Sequence, residues 1–373
     1  MAEVSRDEYE IDISACRARQ ARLIRYMQAS AIDLVVVTRL ENVQWLAGPR
    51  FRWFFSACAA LTVDGHLTLI APDKPEDAAA DDIVVYESKR LSTLRNDQAA
   101  AAASALKQAL GGMSRAARVG VEGSVCGPVY TSWLGNETVD VEAELYRLRR
   151  HKDATEVALI KKAIAATRAM YSRAREIIKP GLSELHLFNE LQAVAVEELG
   201  EMLTGTGNDY AVGARGGPPI GGRAAKAGEL WILDLGPAFR GYFADNCRTF
   251  SVDRKPSAAQ RAAWEQIAQV FPMVEQAVKP GASCKALFDE AKAMLTNSRS
   301  WQFNHHLGHG IGLFPHEGPH LNPNWDDTFE AGDVVAVEPG LYGPDLNAGI
   351  RLENNYLVTE TGAELLSPFP LEL

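Results

Sequence analysis

Apolar and polar positions along the first third of the chain switch repeatedly between helical and strand-like patterns. Residues 16–29 suit a helix, and 33–38 (DLVVVT) form a short apolar run that suits a buried strand. The stretch ALTVDGHLTLIAP alternates, and its Asp64-Gly65 pair is a strong hairpin signal. DIVVYE at 82–87 and ARVGVE at 117–122 predict two further strands, with an Ala-rich helix near 97–110 between them. Such alternation predicts an α/β domain over residues 1–148. The segment LYRLRRHKDATEV at 145–157 marks the crossing into a second domain, 149–373. Asp153 or Thr155 can cap the long helix that follows, which runs to about Ile178 and stops at Lys179-Pro180-Gly181.

The second domain repeats itself. EIIKPGLSELHLFNEL at 176–191 resembles EQAVKPGASCKALFDEA at 275–291, with Lys-Pro-Gly-x-Ser and Leu-Phe-x-Glu in both. In each copy a helix ends at Pro-Gly, and Ser183 or Ser283 can cap the next. Each copy is followed by a β-rich segment with acidic residues. A duplicated half-domain with an internal pseudo-twofold is the expectation.

Composition narrows the function classes. The net charge of -10, without a long Lys/Arg run, disfavours a nucleic-acid partner; the densest basic stretch, Arg147 to Lys152, is short. The five cysteines are scattered, odd in number and form no Cys-x-x-Cys, which suits reduced thiols and a cytoplasmic location. MAEVSRDEYEIDIS lacks the apolar core of a signal peptide, and no apolar run reaches the ~18 residues of a membrane span.

Candidate chemistry lies in the last third. Asp234, Asp245, His309, Glu338 and Glu353 occur in order, each in a Gly-punctuated or β-like segment. Four carboxylates and an imidazole without a thiol suit hard or borderline divalent cations rather than a Cys-type zinc site. The set predicts a hydrolytic centre holding two ions. ELWILDLGPAFRGYFADNCRTFSV reads as a hairpin turning near Phe239-Arg240, which would set Asp234 opposite Asp245. VVAVE and GIRLENNYLV read as a second hairpin with Glu338 near Glu353, and Arg351 shares a face with Glu353. NHHLGHGIGLFPHEGPH holds His305, His306, His309, His316 and His320. It is too rich in glycine for a stable helix, but Gly308, Gly310 and Gly312 permit close backbone approach.

In order, the chain carries Asp-x-Gly, Gly-Tyr-x-x-Asp-x-x-Arg-Thr, Gly-His-Gly-Ile-Gly-Leu-x-x-His-Glu-x-Pro, Glu-Pro-Gly-x-Tyr and Gly-x-Arg-x-Glu. Together these motifs resemble the creatinase/prolidase/methionine aminopeptidase family, peptidase family M24. Asn42-Val43-Gln44-Trp45-Leu46-Ala47-Gly48 is similar to the N-terminal domain of its two-domain branch, which contains prolidase, aminopeptidase P and creatinase. Creatinase lacks the metal set, so the resemblance favours the metallopeptidases, prolidase-like Xaa-Pro dipeptidases first. It implies a creatinase-like α/β N-terminal domain and an α+β pita-bread catalytic domain. It further implies two divalent metal ions (Mn, Co or Zn), a small peptide substrate and a homodimer. Asp234 would chelate one ion, Asp245 and Glu353 would bridge, and His309 and Glu338 would complete the second. Glu338 would also shuttle a proton. His316 matches the transition-state histidine, and His305 and Arg351 match pocket positions of proline-specific members. Arg351 would contact the substrate C-terminus or hold a ligand glutamate.

One departure stands out. Proline-specific relatives carry a histidine upstream of the first metal aspartate, but residues 205–229 contain none, and Gly216-Gly217-Pro218-Pro219 fill that neighbourhood. Asn208 and Tyr210 are the polar substitutes available. The alternatives to an Xaa-Pro peptidase are a pita-bread enzyme for a non-prolyl amide, amidine or lyase substrate, and a non-catalytic binding module.

Overall fold

The computed structural model describes residues 9–112, 118–135, 137–207, 209–296 and 301–373. Two compact units emerge, Met1–Arg149 and Arg150–Leu373. No helix among the described residues is long and apolar enough to cross a membrane.

The first unit is α/β. Its elements run α1 (Ile13–Ala29), β1 (Leu34–Val37), α2 (Leu40–Ala47), β2 (Cys58–Thr62), β3 (Leu67–Ala71), β4 (Asp82–Val85), β5 (Lys89–Arg90), β6 (Thr93–Leu94), α3 (Gln98–Leu110), β7 (Arg118–Val121), α4 (Pro128–Thr131), β8 (Glu137–Asp140) and α5 (Glu142–Arg150). Six strands form one sheet in the order β4-β3-β2-β1-β7-β8. β1 is antiparallel to β2 and parallel to β7, which explains its unbroken apolar run: all four residues are buried. The Ala-rich helix α3 packs Ala102, Ala103 and Leu106 against Leu34 and Val36 of that sheet. α2 carries the Asn-Val-Gln-Trp segment. Its Asn42 donates to Glu122 at 2.6 Å and accepts from Arg149 at 2.9 Å, so two buried charges are bridged by one amide.

The second unit is α+β and built twice. α6 (Ala154–Ile177) starts on an Asp153 capping box and precedes α7 (Glu184–Leu199). Then come β9 (Leu230–Leu235), β10 (Ala238–Phe239), β11 (Tyr242–Phe243) and β12 (Asn246–Ser251). The second half follows as α8 (Ala258–Ala268), α9 (Val270–Ala277), α10 (Cys284–Leu295), β13 (Gly308–Gly310), β14 (Glu317–Leu321), β15 (Val334–Val337), β16 (Gly340–Leu341), β17 (Ile350–Arg351), β18 (Asn354–Val358) and β19 (Ala363–Leu365).

Backbone hydrogen bonds trace the duplication. Gly181 donates to the Ala225 carbonyl and Gly281 to the Phe329 carbonyl, at 2.8 and 2.9 Å. Ala225 returns a bond to Leu182, and Phe329 returns one to Ala282. Both glycines have positive φ, +90° and +84°, which a side chain would strain. Ser183 and Ser283 both cap the following helix through their hydroxyls. The halves join where β12 meets the β17–β18 strand. Glu353 N–H donates to the Cys247 carbonyl at 2.9 Å, and the Thr249 hydroxyl exchanges bonds with the Arg351 backbone. Leu287, Phe288, Leu307, Val335, Val337 and Tyr356 belong to the core beneath the second half.

Candidate metal centre

Both predicted hairpins form, and one turns a residue later than expected. β10 and β11 pair Ala238 with Phe243 and Phe239 with Tyr242, so the two turn residues are Arg240 and Gly241. Both have positive φ, as a type I′ turn requires. That shift moves the register by two: Asp234 faces Cys247 rather than Asp245. Asp245 lies two positions before Cys247, so the strand period returns it to the face of Asp234 as a diagonal neighbour. Their carboxyl oxygens come within 4.8 Å of each other.

The second hairpin has the symmetric register that its sequence suggests. Val337 pairs with Asn354 and Gly340 with Arg351, which brackets Glu338 against Glu353. Beside β15 of the second hairpin runs β13. His309 sits opposite Ala336, and its neighbours need to be glycine. A Cβ on Gly308 would collide with the Ala336 carbonyl oxygen, and one on Gly310 with that of Gly318.

The five residues converge. Ligand atoms of Asp234, Asp245 and Glu353 lie within 4.8 Å of one another, as do those of His309, Glu338 and Glu353 and of Asp245, His309 and His316. His309 is buried, and its Nδ1 donates to the Gly310 carbonyl at 3.0 Å. That bond leaves Nε2 as a bare acceptor, 3.6 Å from Glu338 Oε1 and 3.7 Å from Asp245 Oδ2. Burial, reinforced by His316, holds the His309 ring well below the usual imidazole range, so it is neutral and able to ligate.

The electrostatics favour either protons or a cation among these acids. Burial and neighbouring acids push Asp245 and Glu353 well above the usual carboxyl range. Burial and Asp234 push Glu338 up to about 8. Asp234 is raised by burial, with Arg351 opposing. Glu353 Oε2 is buried with no hydrogen-bond partner among the described residues, a costly orphan unless a ligand completes it. The residues present therefore fit divalent metal ions, with oxygen donors dominant.

The remaining expected residues have distinct surroundings. His316 is exposed and stacks on His309, with ring centroids 3.6 Å apart. Both nitrogens of His305 are engaged within the protein: Nδ1 with the His306 carbonyl at 2.7 Å and Nε2 with the Tyr342 hydroxyl at 3.0 Å. With its ring largely desolvated and its pKa down to about 3, His305 stays neutral. A pocket-wall role fits it, but proton transfer does not. Arg351 pairs chiefly with two aspartates and more loosely with Glu338. Its Nη2 donates to Asp234 at 2.6 Å and to Asp209 at 2.7 Å, whereas Glu338 is 3.8 Å from its Nε. Tyr210 does not substitute for the missing histidine. It is buried against Phe188, and its hydroxyl accepts from Gln192. Asn208 lies outside the described residues.

Asp209 and His306 were not anticipated. Asp209 bridges to Asp234 through the backbone and also accepts from Gly217 N–H at 2.7 Å. A Cβ on Gly216 would strike its carboxylate. Its only sequence signal is an acid ahead of a glycine-rich run. His306 Nδ1 lies 3.3 Å from Glu338 Oε1, and its place in the histidine cluster was the available clue. A cavity of about 460 Å³ opens beside the centre, lined by His305, His306, His309, His316, His320 and Trp325, among others.

Residues 158–360 carry the signature of metallopeptidase family M24, just over half of the chain. The chain belongs to that family. Ahead of the M24 region, residues 19–151 match the Creatinase/Prolidase N-terminal domain. An uncharacterized peptidase of Staphylococcus saprophyticus is 31% identical over 235 residues, 62% of this M24 chain and 66% of that protein. The chain thus spans a little under two thirds of that curated relative. Among solved structures, the Xaa-Pro dipeptidase from Bacillus anthracis superposes with a TM-score of 0.81 at 21% identity, over 96% of this chain and 99% of its own. The prolidase from Pyrococcus furiosus gives 0.77 at 22%, over 93% and 99%. These two establish the fold: a creatinase-type N-terminal domain followed by an M24 pita-bread domain.

Proposed function

We propose that this protein hydrolyses short peptides at a dinuclear metal centre, with Xaa-Pro dipeptides as the first substrate class. The observation that carries this reading is the pair of ligand groups sharing Glu353, whose buried Oε2 has no other partner among the described residues. Asp234, Asp245 and Glu353 would hold one ion, and His309 and Glu338 would complete the second. Bound divalent ions supply Lewis-acid polarisation of the scissile carbonyl and lower the pKa of water.

The chain's own groups supply the rest. Glu338, with its elevated pKa of about 8, can take a proton at one carboxylate oxygen and pass it to the leaving nitrogen. His316 presents its exposed ring to the cavity and can donate to the developing oxyanion. Arg351 stays charged and fixes Asp234 in place. The names of the structural neighbours, prolidase and Xaa-Pro dipeptidase, support the proline preference. The absence of a histidine from 205–229 favours a second reading, a non-prolyl dipeptide or amide. We further place the protein in a reducing, cytoplasmic setting, supported by five buried cysteines that form no disulfide, and as a homodimer by family resemblance.

The test is turnover of Ala-Pro against Ala-Pro-Ala by protein reconstituted with Mn, Co or Zn, with Glu338→Ala as the blank. Ala-Pro is expected to be cleaved and the blank to be silent. A metal-loaded protein inert towards both peptides would refute the prolyl reading.

A further inference from the structure

Glu317 closes the glycine-rich histidine motif, yet it is not among the converging ligand groups. It is buried together with Lys152, the last residue of the short basic stretch; the two side chains are 2% and 1% exposed. Lys152 Nζ donates to Glu317 Oε2 at 3.2 Å. The other oxygen, Oε1, accepts from Phe314 N–H at 3.0 Å and so closes the turn that carries His316. Gly312 lies against the pair. A Cβ there would sit 2.9 Å from Glu317 Oε2 and 3.0 Å from Lys152 Cε.

Both ends of this clamp are anchored. Lys152 N–H donates to the Gly332 carbonyl at 3.1 Å, and Arg150 forks onto the buried Asp333 at 3.0 and 2.7 Å. Asp333 leads directly into β15, which ends at Glu338. On the loop side, Ile311 N–H donates to the Val334 carbonyl and Phe243 N–H to the Gly312 carbonyl, each at 2.9 Å. The His316 ring has no such anchor: among the described residues it makes no hydrogen bond. It is exposed, stacked on His309, with His306 edge-on at 5.9 Å. Its direction is therefore set by the backbone at 314–317, which the ion pair fixes. A buried ion pair is a poor stabiliser, since an apolar pair of similar volume often holds a fold as well. What this pair contributes is direction, a charged acceptor held by one ammonium and aimed at one amide.

We propose that Lys152 and Glu317 are positioning residues, whose buried ion pair holds the Phe314–Glu317 turn so that His316 faces the metal centre. The inference rests on the peptidase reading and on the role given there to His316, but not on a preference for proline. Truncating either partner alone strands a buried charge and endangers the fold. The test therefore uses Lys152→Met/Glu317→Met, which keeps both volumes. It is compared, metal-loaded, with wild type, Glu317→Gln, His316→Ala and the triple variant on Ala-Pro and Ala-Leu. The double variant should keep its bound metal, its Tm and a KM within a few-fold of wild type. Its kcat should fall by about 10–100-fold, the scale of a misplaced catalytic group. Glu317→Gln keeps an acceptor for Phe314 and should lie in between. In the His316→Ala background the same two substitutions should cost nothing further, because the ring they act through is already gone. Should the double variant fail to fold, Glu317→Gln carries the same cycle. Additive losses, an unchanged kcat, or loss of metal together with kcat would each overturn the proposal. If wild type cleaves neither peptide, the peptidase reading fails, and crystal structures of wild type and the double variant take over. A His316 ring displaced from His309 then supports the clamp, and a ring that stays stacked overturns it.

Discussion

The two hairpins of the second unit share one backbone frame and hang different chemistry on it. In the first, Asp234 lies opposite Cys247, and Asp245 sits two positions before that thiol. In the second, Glu338 lies opposite Glu353, and Arg351 sits two positions before that carboxylate. The place across from the leading acid is thus a thiol in one half and a carboxylate in the other. The place two before it is an acid in one and a guanidinium in the other. Duplication supplies the close approach of the two strand pairs, and the substitutions supply the charge asymmetry. Arg351 reaches back to Asp234 and offsets one buried acid. Glu338 has only a longer pairing with the same guanidinium, and no Lys or Arg ion pair is found for Asp245 or Glu353 among the described residues, a condition a divalent ion relieves.

The largest break in that comparison comes from Glu353→Ala. Glu353 belongs to two of the three converging groups, the two assigned to the proposed ion positions, so its loss should empty both positions rather than one. Turnover should fall by roughly 10³-fold or more, the scale of losing a principal stabiliser of transition-state charge. Metal analysis of the purified variant is the check. Two retained equivalents would mean that Glu353 is not shared.

Arg351→Ala should come next. Removing the buried guanidinium leaves Asp209 and Asp234 facing each other in a half-buried site, so a loss of about 1–3 kcal/mol is expected, between an exposed and a fully buried pair. Denaturant unfolding of the metal-free protein measures it. Arg351→Lys should recover only part, because an ammonium cannot fork to two carboxylates. A loss under about 1 kcal/mol would place the charge balance elsewhere.

How far these hairpins were legible in the sequence follows the same contrast. Glu338 and Glu353 could be set against each other because their long connection is symmetric about its centre. Asp234 and Asp245 were misplaced by two positions because the tight turn puts Arg240, a non-glycine, at positive φ. Gly241 at the second turn position was the available signal, an x-Gly pair of the type I′ kind. The alternation of α1 to β7 and the repeat at Lys-Pro-Gly were readable because local propensity and period agree there. Asp209 was not, because it enters through a single bridge to β9 and no strand pattern surrounds it. The committed Nε2 of His305 was equally hidden, since it depends on Tyr342 thirty-seven positions away.

The crowded acids also predict a pH response of the metal-free protein. Glu338 ionises near 8 in the folded chain, against 4.5 for its ordinary value. Between those limits the folded state binds more protons than the unfolded state, so stability falls as pH rises. This contribution is complete below about 4.5 and is lost through about 8. Tm of the metal-free protein should therefore decline from pH 5 to 8, and metal should flatten the trend by taking the place of the protons. Proton release on metal addition at pH 7, followed by calorimetry in two buffers, is an independent readout. Uptake without proton release would show that the acids were already ionised.

Cys247 should give the smallest effect, and it tests the asymmetry most directly. The thiol occupies the frame position of Glu353 and faces Asp234, so a strictly symmetric site would recruit it as a ligand. It appears in none of the three groups of converging ligand atoms, and burial pushes it well above the usual thiol range, so it stays protonated. What the residue gives the junction is its carbonyl, which accepts from Glu353 N–H and from Arg248. Any side chain supplies that carbonyl. Cys247→Ala should cost about 1 kcal/mol of stability from lost packing, with both metal equivalents retained and turnover within a few-fold of wild type. If one equivalent disappears with the thiol, the frame position is a ligand in both halves. The charge asymmetry would then lie only in Arg351 against Asp245.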